Sequence, residues 1–159
     1  MSLLDDVSIV VTPNGYKAGE LYAVIPVPTE GAELVTNGDF ATDSDWTKGT
    51  SWTIGGGVAT SDGGRSTLTQ NIAFVLGRNY LISFNVNRNS GTLFVRNVGS
   101  TTIHTIDVNN NVSFQSFTYA ATSSNGYINF YSYDYNGTID NVSIKEYTSA
   151  DMDVTRATA

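Results

Sequence analysis

The chain has 159 residues, enough for one domain of about 100–150 residues plus an arm, so a single core is expected. Eight Lys and Arg against fifteen Asp and Glu give a net charge of −7, with the basic residues scattered singly, which argues against a sequence-independent nucleic-acid binder. The absence of Cys excludes disulfides, thiolate metal sites and a thiol nucleophile, and a single histidine, His104, excludes a zinc site built on several.

The start, Met1-Ser2-Leu3-Leu4-Asp5, has neither the basic nor the apolar region of a secretory signal, so an unprocessed chain made in a cytoplasm is expected. No apolar run reaches the ~18 residues of a membrane span. Residues 1–33 hold all three prolines, Pro13, Pro26 and Pro28. Within them Val7, Ile9 and Val11 alternate as in a strand, and Thr12-Pro13-Asn14-Gly15 has turn chemistry. Leu21, Tyr22, Val24 and Ile25 belong to an extended edge segment, since proline cannot donate to a ladder. This stretch reads as an arm that docks onto a partner by strand addition and apolar burial, or that packs along its own domain.

From about residue 34 to 147 short β-type runs recur without helical periodicity, the pattern of an all-β, two-sheet sandwich with about nine strands. Glu33 to Phe40 opens the series. Trp52-Thr53-Ile54 and Val58-Ala59-Thr60 flank Gly55-Gly56-Gly57, and Ser66 to Ile72 follows Asp62-Gly63-Gly64. Tyr80, Ile82, Phe84 and Val86 alternate with Leu81, Ser83, Asn85 and Asn87, so the first set is expected to face a core. Gly91 to Val98, Thr101 to Val108, Val112 to Ala121, Gly126 to Tyr135 and Gly137 to Tyr147 complete the series, with turns expected at Asn125-Gly126 and Asn136-Gly137. Residues 148–159 return to small and polar side chains, as in a tail or linker.

Two ends of this domain match in kind: Asn37-Gly38-Asp39-Phe40, followed by Trp46 and Trp52, and Ile139-Asp140-Asn141-Val142-Ser143-Ile144. In that order and separation they resemble the carbohydrate-binding modules of the galactose-binding-like jelly-roll class. The resemblance implies a jelly roll whose first and last strands meet, and tryptophans that pack in the core. It also implies a structural calcium ion near the junction, for which Asn37, Asp39 and Asp140 are the matching positions. Otherwise Asp39 caps a turn and Asp140 bonds to the neighbouring loop, and no cofactor is required. Leu4-Asp5-Asp6-Val7-Ser8, Thr12-Pro13-Asn14-Gly15-Tyr16-Lys17-Ala18-Gly19-Glu20-Leu21-Tyr22 and Val154-Thr155-Arg156-Ala157-Thr158 resemble segments of structural proteins of tailed bacteriophages. That likeness implies a place on the virion surface as a head fibre, decoration or tail fibre protein, with capsid or tail proteins as partners and a homo-oligomer, such as a trimer, as the assembly.

The most aromatic run is Tyr127 to Tyr135. Strict alternation puts Tyr131, Tyr133 and Tyr135 on one face and Ile128 and Phe130 on the other. With the Ile-Phe side inward the tyrosines form an exposed ladder suited to sugar faces or a protein contact, such as a host-surface polysaccharide; in the opposite register they are core. Catalysis is not expected. Asp43 with Asp45 and Asp151 with Asp153 lie in turn-like or tail segments, and Gly55-Gly56-Gly57 lacks the Lys-Ser/Thr of a phosphate loop.

Overall fold

A computed structural model describes residues 28–148 and, in the arm, β1 (Gly15–Lys17) and β2 (Glu20–Tyr22). The two arm strands pair antiparallel, Gly15 opposite Tyr22 and Lys17 opposite Glu20, and the expected turn residues Thr12, Pro13 and Asn14 lie outside the described residues. Val7, Ile9, Val11, Val24 and Ile25 lie outside the described residues, and for Leu21 and Tyr22 only the backbone is placed. Glu30–Thr148 form a separate compact unit.

That unit is the expected all-β sandwich. Its strands are β3 (Thr29–Glu33), β4 (Thr47–Lys48), β5 (Trp52–Gly55), β6 (Val58–Asp62), β7 (Thr67–Ile72), β8 (Asn79–Asn97), β9 (Thr101–Ile106), β10 (Phe114–Ala120) and β11 (Gly126–Thr148). Two of them are long. β8 and β11 each run through both sheets, pairing with one another along most of their length. Their near halves pair with different neighbours. The first sheet has the order β4-β7-β11-β8-β9, using the start of β11 and the end of β8. The second has the order β10-β8-β11-β6-β5, using the start of β8 and the end of β11, with β3 also on β11.

The crossing point explains a departure from the sequence reading. Asn136-Gly137 is not a hairpin turn but a bulge inside β11, beside a second shift at Tyr133/Asp134 where both residues oppose Thr92. Asp134 takes φ 55° and its neighbour across the pair, Gly91, φ 71°. Glycine is required at both crossing positions for lack of space: a Cβ on Gly91 would stand 1.9 Å from the Asp134 carbonyl oxygen, and one on Gly137 2.2 Å from that of Asn87. Each expected pair of strands is therefore one bent strand.

Between the sheets lies one apolar core. Tyr80, Ile82, Phe84 and Val86 face it as the alternation requires, and the Phe84 ring meets that of Phe130 from the other sheet at 5.1 Å, edge to face. Trp46 and Trp52 are both buried, as the resemblance implied, Trp46 against Phe40 and Phe130 and Trp52 stacked on Tyr135. His104 sits at the rim, half-buried, stacked 4.3 Å from Phe117 with its Nε2 2.8 Å from Gln115 Oε1.

The two ends of the domain do meet. The Val142 amide donates to the Gly38 carbonyl at 2.9 Å and the Leu34 amide to that of Ile144 at 2.9 Å. Glu33 fastens the junction: Oε1 accepts the amides of Leu34, Val35 and Ile144, and Oε2 accepts the Ser143 hydroxyl at 2.6 Å. Asn37-Gly38-Asp39-Phe40 is not the end of a strand, however. Asn37 and Phe40 have φ of 50° and 49°, and the Phe40 amide closes a turn on the Asn37 carbonyl. A Cβ on Gly38 would lie 2.1 Å from the Val142 carbonyl oxygen, so the motif reads as a turn that brings the chain against β11 and drops Phe40 into the core.

Candidate binding surface

Register decides which side chains share the outer face of the first sheet. Tyr131 on β11 stands opposite Thr67 on β7 and Phe94 on β8, Phe94 stands opposite Thr105 on β9, Asn129 opposite Thr69 and Arg96, and Tyr133 opposite Thr92. Ile128, Phe130 and Ser132 point the other way and are buried. Of the two registers open to the sequence, the one with Ile128 and Phe130 inward holds for this half of the strand.

Tyr131 and Tyr133 are therefore on the outer face, Tyr131 half-buried and Tyr133 42% exposed. Tyr135 is not. The bulge at Tyr133/Asp134 adds a residue and reverses the alternation, so its ring is fully buried against Trp52, with the hydroxyl donating to the Thr138 and Asn87 carbonyls. Burial pushes its phenol upward from the ordinary value.

The tyrosine face is joined by residues that sequence reasoning did not single out. Phe94 lies between Tyr131 and Tyr133, with ring centroids 6.3 Å and 6.2 Å away. The Arg96 guanidinium carbon is 4.0 Å from the Tyr131 ring centre and 5.2 Å from that of Phe94, and the Arg65 guanidinium is 3.9 Å from that of Tyr133. Arg65 also makes a two-pronged pair with Asp134, Nε to Oδ1 and Nη2 to Oδ2, both at 3.2 Å. That hydrogen-bonded pair holds the Asp134 carboxyl below its ordinary value and raises Arg65. The surface is layered: aromatic rings on the sheet, guanidinium groups against them, threonine hydroxyls around.

On the outer face of the second sheet a shallow groove of about 350 Å³ is lined by Val58, Asn85, Asn87, Ser113, Thr138 and Asp140. Phe114, 57% exposed, pairs with Asn85 beside it. This groove has amides and hydroxyls but one aromatic ring at its edge, against three on the other face.

The residues matched to calcium stand near the junction, each with hydrogen-bond partners of its own. Asn37 turns its amide nitrogen to the carbonyls of Thr42 and Ser44 and its oxygen to the Thr42 amide. Asp140 engages one oxygen with the amide and the other with the side chain of Asn141. Asp39 accepts one 3.4 Å bond from the Ala41 amide, each Asp140 oxygen accepts a single bond, and no group of three His, Asp or Glu occurs among the described residues. Calcium draws on about six to eight oxygens, so an ion here would need backbone carbonyls beside the carboxylates of Asp39 and Asp140. Exhaustive chelation followed by a thermal melt tests the ion: a fall of about 4 °C, equivalent to about 1 kcal/mol in a domain this size, would support it, and an unchanged melting temperature would count against it.

No protein-family profile matches the chain, and no curated protein matches it. Among solved structures, a carbohydrate-binding module, CBM4, superposes with a TM-score of 0.54 at 18% identity, over 70% of this chain and 98% of that one. The enzymatically active domain of tailspike protein 4 of bacteriophage CBA120 superposes with a TM-score of 0.51 at 21% identity, over 72% of this chain but 21% of that one. No helix among the described residues is long and apolar enough to cross a membrane. At these identities the likeness is one of fold: a jelly-roll sandwich of the kind seen in a carbohydrate-binding module.

Proposed function

We propose that this chain is a non-catalytic glycan-binding module that meets its ligand with the outer face of the first sheet. The observation that carries this is the cluster of Phe94, Tyr131 and Tyr133 on one sheet face, bordered by guanidinium donors. A sugar has apolar C–H faces and a rim of hydroxyls. Flat rings answer the first, and N–H and O–H groups the second. The CBM4 likeness, which spans nearly all of that module, agrees with a unit that folds and binds as a whole.

The same module suits two settings. In a bacterial carbohydrate-binding protein it would target a polysaccharide; on a phage particle it would project from the virion surface, its arm docked on capsid or tail proteins, and gain strength from many copies, as in a trimeric fibre. The particle setting rests on the sequence resemblance of residues 1–28 and 154–158. A purely architectural role would instead put the aromatic face between copies of the chain.

Binding of the folded protein, displayed at high density, to intact bacterial cells and a panel of surface and plant polysaccharides tests the proposal. Saturable binding competed by one soluble polysaccharide is the expected result. Failure of every polysaccharide, together with self-association lost on changing Tyr133, would favour the architectural role.

A further inference from the structure

We infer that this surface selects an acidic polysaccharide, one carrying sugar carboxylates, and that Arg96 is the residue that reads the charge. The inference rests on the glycan-binding reading and deepens it.

The other described arginines each have a carboxylate or carbonyl partner. Arg65 pairs with Asp134, Arg78 with Glu146, and Arg88 donates to the Gly91 carbonyl. Arg96 takes part in none of the ion pairs among the described residues, which otherwise engage Lys48 and Lys145. Its Nε is shielded from solvent yet has no hydrogen-bond partner among the described residues. Directly across the strand pair stands Asn129, whose Oδ1 is also shielded and without a partner. These two shielded atoms are complementary to each other, donor to acceptor, so it is the rest of the Arg96 guanidinium that is left for a ligand.

A guanidinium held against Tyr131 and Phe94 is already oriented, and its two terminal Nη groups, which are not among the shielded unpartnered atoms, can donate to the two oxygens of one carboxylate. A sugar acid carries a carboxylate and hydroxyls on one ring, and stacks its body on the Phe94 and Tyr131 surface. The neighbouring acid does not compete, since Asp134 is held by Arg65. The whole chain carries −7, so a generalised attraction for polyanions is not available to it. Recognition of an acidic polymer must therefore come from a local contact of this kind.

The test uses the full chain at high density on polygalacturonate, alginate and hyaluronate, each beside its carboxyl-reduced, neutral form. At least one acidic polymer is expected to bind about ten- to a hundredfold more tightly than its reduced form, the worth of a hydrogen-bonded charge pair. Arg96→Gln should remove that preference while the protein melts as before, and Arg96→Lys should restore part of it. Equal binding of acidic and reduced polymers by the unaltered protein, or a preference that survives in Arg96→Gln, overturns the inference but leaves the glycan-binding reading standing. Binding to no polysaccharide of either kind, here or in the wider panel, overturns both.

Discussion

Replacing Phe130 by alanine is expected to lower stability by about 3–5 kcal/mol, whereas replacing its neighbour Tyr131 is expected to cost less than about 1 kcal/mol. The two residues are adjacent in β11 but point to opposite sides of one sheet. Phe130 is fully buried and touches Trp46 from the loop after the Asn37 turn and Phe84 from the opposite sheet. Alanine there leaves a cavity at the point where both sheets and that loop meet, and surrounding groups close such a space only in part. Tyr131 rests against Phe94 and Arg96 on the outer face, where water can replace what is lost. In a domain of this size 1 kcal/mol corresponds to about 4 °C, so the first substitution should lower the melting temperature by about 12–20 °C and the second by at most about 4 °C. Thermal melts of the two variants side by side check this. The reverse order would mean that the tyrosines form the core and that the binding surface described above does not exist.

Gly91→Ala is the second large effect, expected at about 2–5 kcal/mol. Two penalties add. A residue with a Cβ needs about 1–2 kcal/mol to adopt a left-handed conformation, and Gly91 has φ 71°. The new methyl would also stand 1.9 Å from the Asp134 carbonyl oxygen and 2.5 Å from the Tyr135 nitrogen, and since both belong to the backbone of the paired strand, relief requires that β8 and β11 separate, a further ~1–3 kcal/mol by the measure of other overpacked sites. Gly56 provides the contrast. It too has a positive φ, 66°, but nothing lies within 4 Å of where a methyl group would stand, so alanine there should cost the conformational part alone. Urea denaturation of both variants separates the two penalties; equal midpoints would show that the crossing of the two long strands is looser than its geometry implies.

Much of the fold is legible in the chain because alternation is a local property. Tyr80 to Val86 could be assigned to the core, and the Ile128-Phe130 side of β11 to one face, without knowledge of any partner strand. The meeting of Gly38 with Val142 followed from the resemblance at the two ends. What could not be read was the use to which special backbone residues are put. An Asn-Gly pair serves a hairpin turn or a bulge equally well, and at Asn136-Gly137 the choice is made by pairing with Ser90 and Arg88, more than forty residues earlier in the chain. The bulge at Tyr133/Asp134 then reverses the alternation, and that alone moved Tyr135 from the expected ladder to the core. For the same reason Phe94 and Arg96 escaped notice: each sits in a plausible strand, but their position beside Tyr131 and Asn129 depends on register between distant segments.

The most direct test of the account is to find one polysaccharide that the folded chain binds saturably and then to compare Tyr131→Ala/Tyr133→Ala with Phe114→Ala, each verified to melt as a folded domain. The first sheet's outer face is predicted to be the site, so the double substitution should abolish binding while Phe114→Ala, beside the groove on the opposite sheet, leaves it intact. Binding that survives the double substitution and is lost with Phe114 would contradict the account and transfer the function to the other face of the sandwich.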